Sequence, residues 1–365
     1  MEKMHMKHRK TNIELFRISC MFLIIICHFI IQSEITEFTT GNKFVNFFGY
    51  WGGSIGNVGF ICITAWYLDK FQFSSKKIGL LIAKTFFYSV LSLGIAIAFY
   101  RPEITGSYLL KCFFPIIYGG YGYVTAFVAF YFMAPFLKRI LLQLDRQTHR
   151  KLLIIGSVVL FFVPAVFLGS HSNMMDLFWI FIAVSVGGAY VKRYGVRWAS
   201  DRRLQAKVCA VSFFLMVCFA LGCLFLKGFI PQLGSYSSEW ARYYSPFMIA
   251  AIASLFFLFS TWKIKESKAI NWIADRTFGV FLLHAAPAIR GYYWVKTFHV
   301  HTWGTKKLFP FMMLGLCLLI YVLCILADGA IAFVIQRAGK GFHSERLESV
   351  CKRMDTWMNG SEQEG

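Results

Sequence analysis

Charge is what this sequence has least of. Only 15% of its 365 residues are Asp, Glu, Lys or Arg, against 57% hydrophobic and 18% aromatic, and the mean hydropathy is +0.56. That composition excludes a soluble globular domain and describes a polytopic membrane protein. The ten cysteines form no Cys-x-x-Cys pair, and eight of them (Cys20, Cys27, Cys62, Cys209, Cys218, Cys223, Cys317 and Cys324) lie in apolar stretches. They read as small hydrophobes, not as a zinc site or a disulfide framework. His299 and His301, a lone His-x-His on a loop, are weak evidence for metal, and none is expected. No small-residue cleavage site follows the first apolar run, which exceeds a signal-peptide core in length, so it is expected to remain as a membrane helix.

What charge there is lies in loops and tails and is strongly basic, with a net charge of +20. No basic, aromatic-interleaved soluble domain carries it, which excludes a nucleic-acid partner. Apolar runs long enough to cross a bilayer fall at about 13–31, 53–68, 78–100, 121–138, 152–169, 176–191, 206–226, 245–262, 277–295 and 309–335. With the N-terminus placed inside, 27 of the 38 Lys and Arg residues fall on the cytoplasmic side and 8 on the other, with Arg17, Lys84 and Arg290 inside helices. The expected fold is all-α, with about ten transmembrane helices and both termini cytoplasmic. Residues 1–12 form a basic cytoplasmic tail, 13–335 the membrane domain, and 336–365 a polar cytoplasmic tail too short and too charged for a core of its own. Between the third and fourth spans, "SYLLKCFFPIIYGGYG" is broken by Pro115, Gly119 and Gly120, which suits a re-entrant segment or a plain loop about equally.

Within the first span, Arg17 and His28 stand eleven residues apart. At 100° per residue that is about 20° beyond three full turns, so both side chains face one way, roughly 16 Å apart along the axis. Arg17 alone reads as a snorkelling anchor and His28 alone as a packing histidine. On one face, as ionisable groups inside a membrane, the pair points to a site.

"NIELFRISCMFLIIICHF" resembles the first helix of the integral-membrane acyltransferase 3 family, marked by an arginine, ten intervening residues and a histidine. "GFICITAWYL", "YVTAFVAFYFMAPFL" and "TFGVFLLHAAPAIRGYYW" resemble further helices of that family in the expected order, over about residues 11–335. Two positions depart from it: Ala65 and Trp66 stand where relatives carry Gly-Tyr, and Lys70, Lys76 and Lys77 stand in place of an Arg-x-x-Arg pair. Lysine neutralises phosphate but lacks the bidentate fork.

The resemblance implies transfer of an acyl group, most often acetyl, from cytosolic acyl-CoA to a hydroxyl of a glycan or lipid-linked glycan at the bacterial cell membrane. Acetyl-CoA would be a donor substrate, and the glycan acceptor and membrane lipids the other partners. Arg17 with Lys70, Lys76, Lys77 and Lys84 would meet the CoA phosphates. His28 would be the general base for the hydroxyl, and the resemblance favours His284, close to Pro287 and Arg290, lining the same cavity. No serine or cysteine has an obvious base beside it, so direct attack on the thioester is expected, with Cys27 about 100° away on the helix as packing. Glu14, three residues before Arg17, either holds the guanidinium or serves as a helix-start carboxylate.

In "GYWGGSIGNVG", Gly52 and Gly56 have the spacing of close helix packing. "SYSSEWARYY" and "KTFHVHTW" mix aromatic and polar residues as an interfacial belt does, and as a sugar-stacking surface does. The alternative reading is a transporter or flippase of a glycan precursor, for which the sequence offers no internal repeat.

Overall fold

The computed structural model describes residues 10–163, 174–230, 233–237, 239–338 and 345–360. It is 80% helical and contains no strand among the described residues. In chain order the helices are α1 Thr11–Gln32, α2 Thr40–Trp66, α3 Ser75–Ile95, α4 Gly106–Phe113, α5 Gly122–Gln143, α6 Arg146–Ser157, α7 Met174–Tyr194, α8 Arg197–Ser200, α9 Arg202–Leu226, α10 Leu233–Tyr236, α11 Pro246–Ser260, α12 Lys268–Asp275, α13 Thr277–His284, α14 Phe309–Ala338 and α15 Glu345–Asn359.

Local sequence explains where several of them start. Asp145 accepts from the N–H groups of Gln147 and Thr148 ahead of α6, and Asp201 from those of Arg203 and Leu204 ahead of α9. These bonds, chiefly from Thr148 and from Leu204 N–H, hold both carboxyls below the ordinary aspartate range. Pro246 opens α11, where its missing N–H removes no helical hydrogen bond.

Thr11–Gln32, Ser75–Tyr100, Gly122–Gln143, Arg202–Leu226 and Phe309–Val334 are long and apolar enough to cross a membrane by length and composition, and α11 is a shorter apolar helix. The protein is an all-α multi-pass membrane protein. Residues 164–169 of the expected fifth span, 1–9 of the basic tail, and 339–344 and 361–365 of the C-terminal tail lie outside the described residues. One expected span differs in kind: 277–295 is not a continuous helix. α13 stops at His284, turns follow, and Tyr293–Thr297 forms a separate wide turn. Pro287 has no N–H to give and disfavours helical geometry just before it. The freed carbonyls are capped by tyrosines: Tyr121 OH donates to Leu282 O (2.7 Å), Tyr293 OH to His284 O (2.9 Å) and Tyr108 OH to Ala288 O (3.1 Å).

α1 lies at the centre, packed on α2, α11, α12, α13 and α14. Its fit to α2 depends on glycine. A Cβ at Gly56 would sit 2.5 Å from Cys20 O, one at Gly52 would run into Leu23 O, and one at Gly53 would lie 2.6 Å from Cys27 Sγ. The small-residue spacing in "GYWGGSIGNVG" is therefore a close-packing seam, with Cys27 buried in it. The N-terminal end of α1 is pinned by Asn12 Nδ2, which donates to Ser260 O (2.8 Å) and Trp262 O (3.1 Å).

The described part of the C-terminal tail forms a helix. α15 docks its Cys351–Asp355–Met358 face on the start of α3: Asp355 Oδ1 accepts from Ser75 N (2.6 Å), Asn359 Oδ1 from Phe73 N (2.8 Å), and Met358 is buried with Phe73, Ile78 and Tyr131. The tail builds no core of its own and borrows one from the membrane domain.

Candidate functional site

On α1, Arg17, Met21, Ile24, His28 and Ile31 recur at steps of four and three, the spacing of one helical face. The structure places a cavity at each end of that face. Arg17, Met21 and Ile24 line one of ≈210 Å³, together with Asn57, Phe60, Thr64, Tyr123 and Phe281. Ile24, His28 and Ile31 line a second of ≈210 Å³, with Ser54, Asn57, Tyr121, Tyr123, Phe281, Arg242 and Arg290. Ile24, Asn57, Tyr123 and Phe281 border both, so a wall one side chain thick separates the Arg17 cavity from the His28 cavity.

The break in α13 brings the second histidine into reach. His28 Nδ1 lies 3.0 Å from His284 Nε2, and His284 Nδ1 lies 2.7 Å from Val280 O. A carbonyl only accepts, so His284 carries its proton on Nδ1 and presents a lone pair at Nε2. His28 must then donate from Nδ1 and keep its own lone pair on Nε2. His284 is buried, while His28 is partly exposed at the cavity. The chain Val280 O, His284, His28 thus fixes the ring and tautomer of His28 and aims a basic nitrogen away from its support, the arrangement that general-base catalysis requires.

At the other cavity, Arg17 Nη1 lies 3.2 Å from Glu14 Oε2, an ion pair one turn apart on α1. The lysines grouped with Arg17 do not converge on it. Lys70, Lys76 and Lys77 are exposed and border neither cavity. Lys84 is taken by an acid that the sequence analysis passed over: its Nζ lies 2.7 Å from Asp328 Oδ1 on α14, and Tyr88 OH donates to the same oxygen at 2.6 Å. Gly279 makes room for this carboxylate, which occupies the space a Cβ would fill. The signal was present as a single acid in the apolar run "LLIYVLCILADGAIAF". Asn57, Tyr123 and Arg242 were also missed, because nothing local marks them.

Among the described residues no group of three or more His, Cys, Asp or Glu side chains could hold a metal, and His299 and His301 lie ring to ring at 6.2 Å. Of "SYSSEWARYY", the side chains of Ser235, Tyr236, Ser238 and Glu239 lie outside the described residues, whereas Arg242 and Tyr243 line the His28 cavity.

Residues 10–328 match the family described as an acyltransferase domain, a stretch that contains both cavities and ends on Asp328. The chain belongs to the acyltransferase 3 family. It is a membrane acyltransferase. No curated protein and no solved structure matches the chain. In this acyltransferase the arginine and the histidine of the first helix line separate cavities that share four bordering residues.

Proposed function

We propose that the acyltransferase moves an acyl group, acetyl in the first instance, from cytosolic acyl-CoA to a hydroxyl of a cell-surface or lipid-linked polysaccharide at the bacterial cytoplasmic membrane. The observation that carries this reading is the tautomer chain ending at His28 Nε2, set in a cavity that shares a wall with the Arg17 chamber.

Arg17, steadied by Glu14, meets the CoA phosphates at the cytoplasmic end, with Lys70, Lys76 and Lys77 as exposed charges that attract the polyanion from the cytosol. The uncharged thioester end of the donor extends along α1 to the wall of Ile24, Asn57, Tyr123 and Phe281. The acceptor hydroxyl enters the His28 cavity, and His28 Nε2 takes its proton as the oxygen attacks the thioester carbonyl carbon. The imidazolium is held through His28 Nδ1–H by the neutral Nε2 of His284, a role comparable to that of the third member of a hydrolase triad. Collapse of the intermediate breaks the carbon–sulfur bond, and the leaving thiolate takes the proton back from His28 Nε2. The products are the acyl ester and CoA thiol. Asn57 is the amide side chain that borders both chambers, placed to donate to the carbonyl oxygen as its charge grows.

The test is transfer of radiolabelled acetyl from acetyl-CoA into envelope glycan, by membranes carrying wild type, Arg17→Ala or His28→Ala at matched expression. Both variants are expected to lose label. Unchanged label in both would overturn the roles given to Arg17 and His28.

A further inference from the structure

α15 is fifteen residues long and six of them are charged, so it is too short and too polar to cross a bilayer. Its Cys351–Asp355–Met358 face is taken up by the start of α3 and by Arg139 of α5, whose Nη2 donates to Met358 O at 3.2 Å. Val350, Met354 and Trp357 each precede one of those docking residues and so stand about 100° round the helix from them. At i, i+4 and i+7 they form a second stripe, and the protein leaves them 61%, 37% and 73% exposed. Lys352 and Thr356 stand about 100° round on the other side of the dock, so the face opposite the apolar stripe is polar.

The dock sets the depth at which this helix lies. Asp355 Oδ1 accepts from Ser75 N at 2.6 Å, and Ser75 Oγ donates to Cys351 O at 3.2 Å. Ser75 is also the first residue of the membrane-crossing segment Ser75–Tyr100. Its 26 residues reach about 39 Å at 1.5 Å per residue, more than a hydrocarbon core of about 30 Å, so its first turn stands among the headgroups. α15 is therefore held at headgroup level. There a stripe of tryptophan and aliphatic side chains gains by entering the acyl boundary, while the opposite, polar face stays in water.

We infer that α15 is an interfacial helix, and that Val350, Met354 and Trp357 enter the headgroup–acyl boundary of the bilayer that the protein itself spans. At that depth lipid already surrounds the stripe, and a protein partner would have to displace it. The anchored tail braces a wall of the Arg17 cavity. Leu81 and Phe127 pack on the cluster of Phe73, Ile78, Tyr131 and Met358, and both also line that cavity.

The experiment places the full chain in phospholipid nanodiscs at one copy per disc. Subtracting the emission of Trp357→Phe from that of wild type isolates Trp357 among the ten tryptophans. Phospholipid brominated on the upper acyl chain is expected to quench at least about half of that difference, and aqueous acrylamide little of it. Quenching by acrylamide and not by the brominated lipid would place the stripe in water and overturn the inference. Quenching by neither would mean that protein covers the stripe, which overturns it as well. In the same discs Val350→Glu is expected to speed amide exchange over residues 345–360 at least about fivefold, and Lys352→Glu, on the opposite face, to leave it within about twofold. Glutamate is a better helix former than valine, so faster exchange in Val350→Glu reports lost bilayer contact and not a weaker helix. Equal effects of these two variants, or no effect of Val350→Glu, would overturn the inference independently of the fluorescence.

Discussion

Replacing His284 by alanine removes the acceptor for His28 Nδ1–H without touching either substrate. The bond is 3.0 Å long and becomes charge-assisted when His28 Nε2 takes the hydroxyl proton. Such bonds contribute about 1.5–3 kcal/mol, which corresponds to a fall in kcat of about 10- to 150-fold. The KM for acetyl-CoA should change little, because the proposed reading puts the donor phosphates at the Arg17 cavity, away from His284. His28→Ala removes the proposed base and should cost about 10²- to 10⁴-fold. The double variant should be no slower than His28→Ala alone, since His284 acts only through His28. His284→Gln, whose side-chain oxygen can accept from Nδ1–H, should recover part of the loss. The assay is steady-state acetyl transfer by purified protein, with thermal unfolding confirming that each variant is folded. Full kcat in His284→Ala, or a double variant slowed by the product of the two single effects, would refute the relay.

Three further outcomes follow from the packing. Gly56→Leu should lower stability by about 1–3 kcal/mol and abolish transfer, because its side chain meets Cys20 O and Ile24 and pushes α1 from α2; thermal unfolding in detergent checks this. Asp328→Ala should destabilise by about 1–3 kcal/mol, a value reduced from that of a fully buried pair because Lys84 is one-third exposed, and Lys84→Met combined with Asp328→Leu should recover at least half of it. A rise in the KM for acetyl-CoA in Lys84→Met as large as that in Arg17→Ala would make Lys84 a donor contact as well as the partner of Asp328. Deleting residues 345–365 uncovers Phe73 and frees the Ser75 N–H; faster tryptic cleavage near 70–77 and a lower unfolding temperature are expected.

The sequence made the membrane character and the first-helix stripe legible for physical reasons. Hydropathy sets what a bilayer accepts, and an eleven-residue spacing returns an α-helix to the same face, so Arg17 and His28 had to align wherever α1 packed. Glycine at 52 and 56 marked the seam with α1, since only backbone can approach backbone that closely. Pro287 is visible too, yet the apolar run 277–295 predicts one continuous span. The helix stops at His284 because tyrosines from distant segments cap the carbonyls that the break exposes, and no local pattern announces them.

What the sequence determined by itself is a helical membrane protein with one polar face on its first helix, because composition and periodicity act over a few neighbouring residues. The tertiary structure decided the rest. It set His284 against His28 across 256 residues, paired Lys84 with Asp328, and brought Arg242 and Arg290 to the cavity that His28 lines. Those choices belong to interhelical packing, where partners meet through geometry that repeats nowhere along the chain.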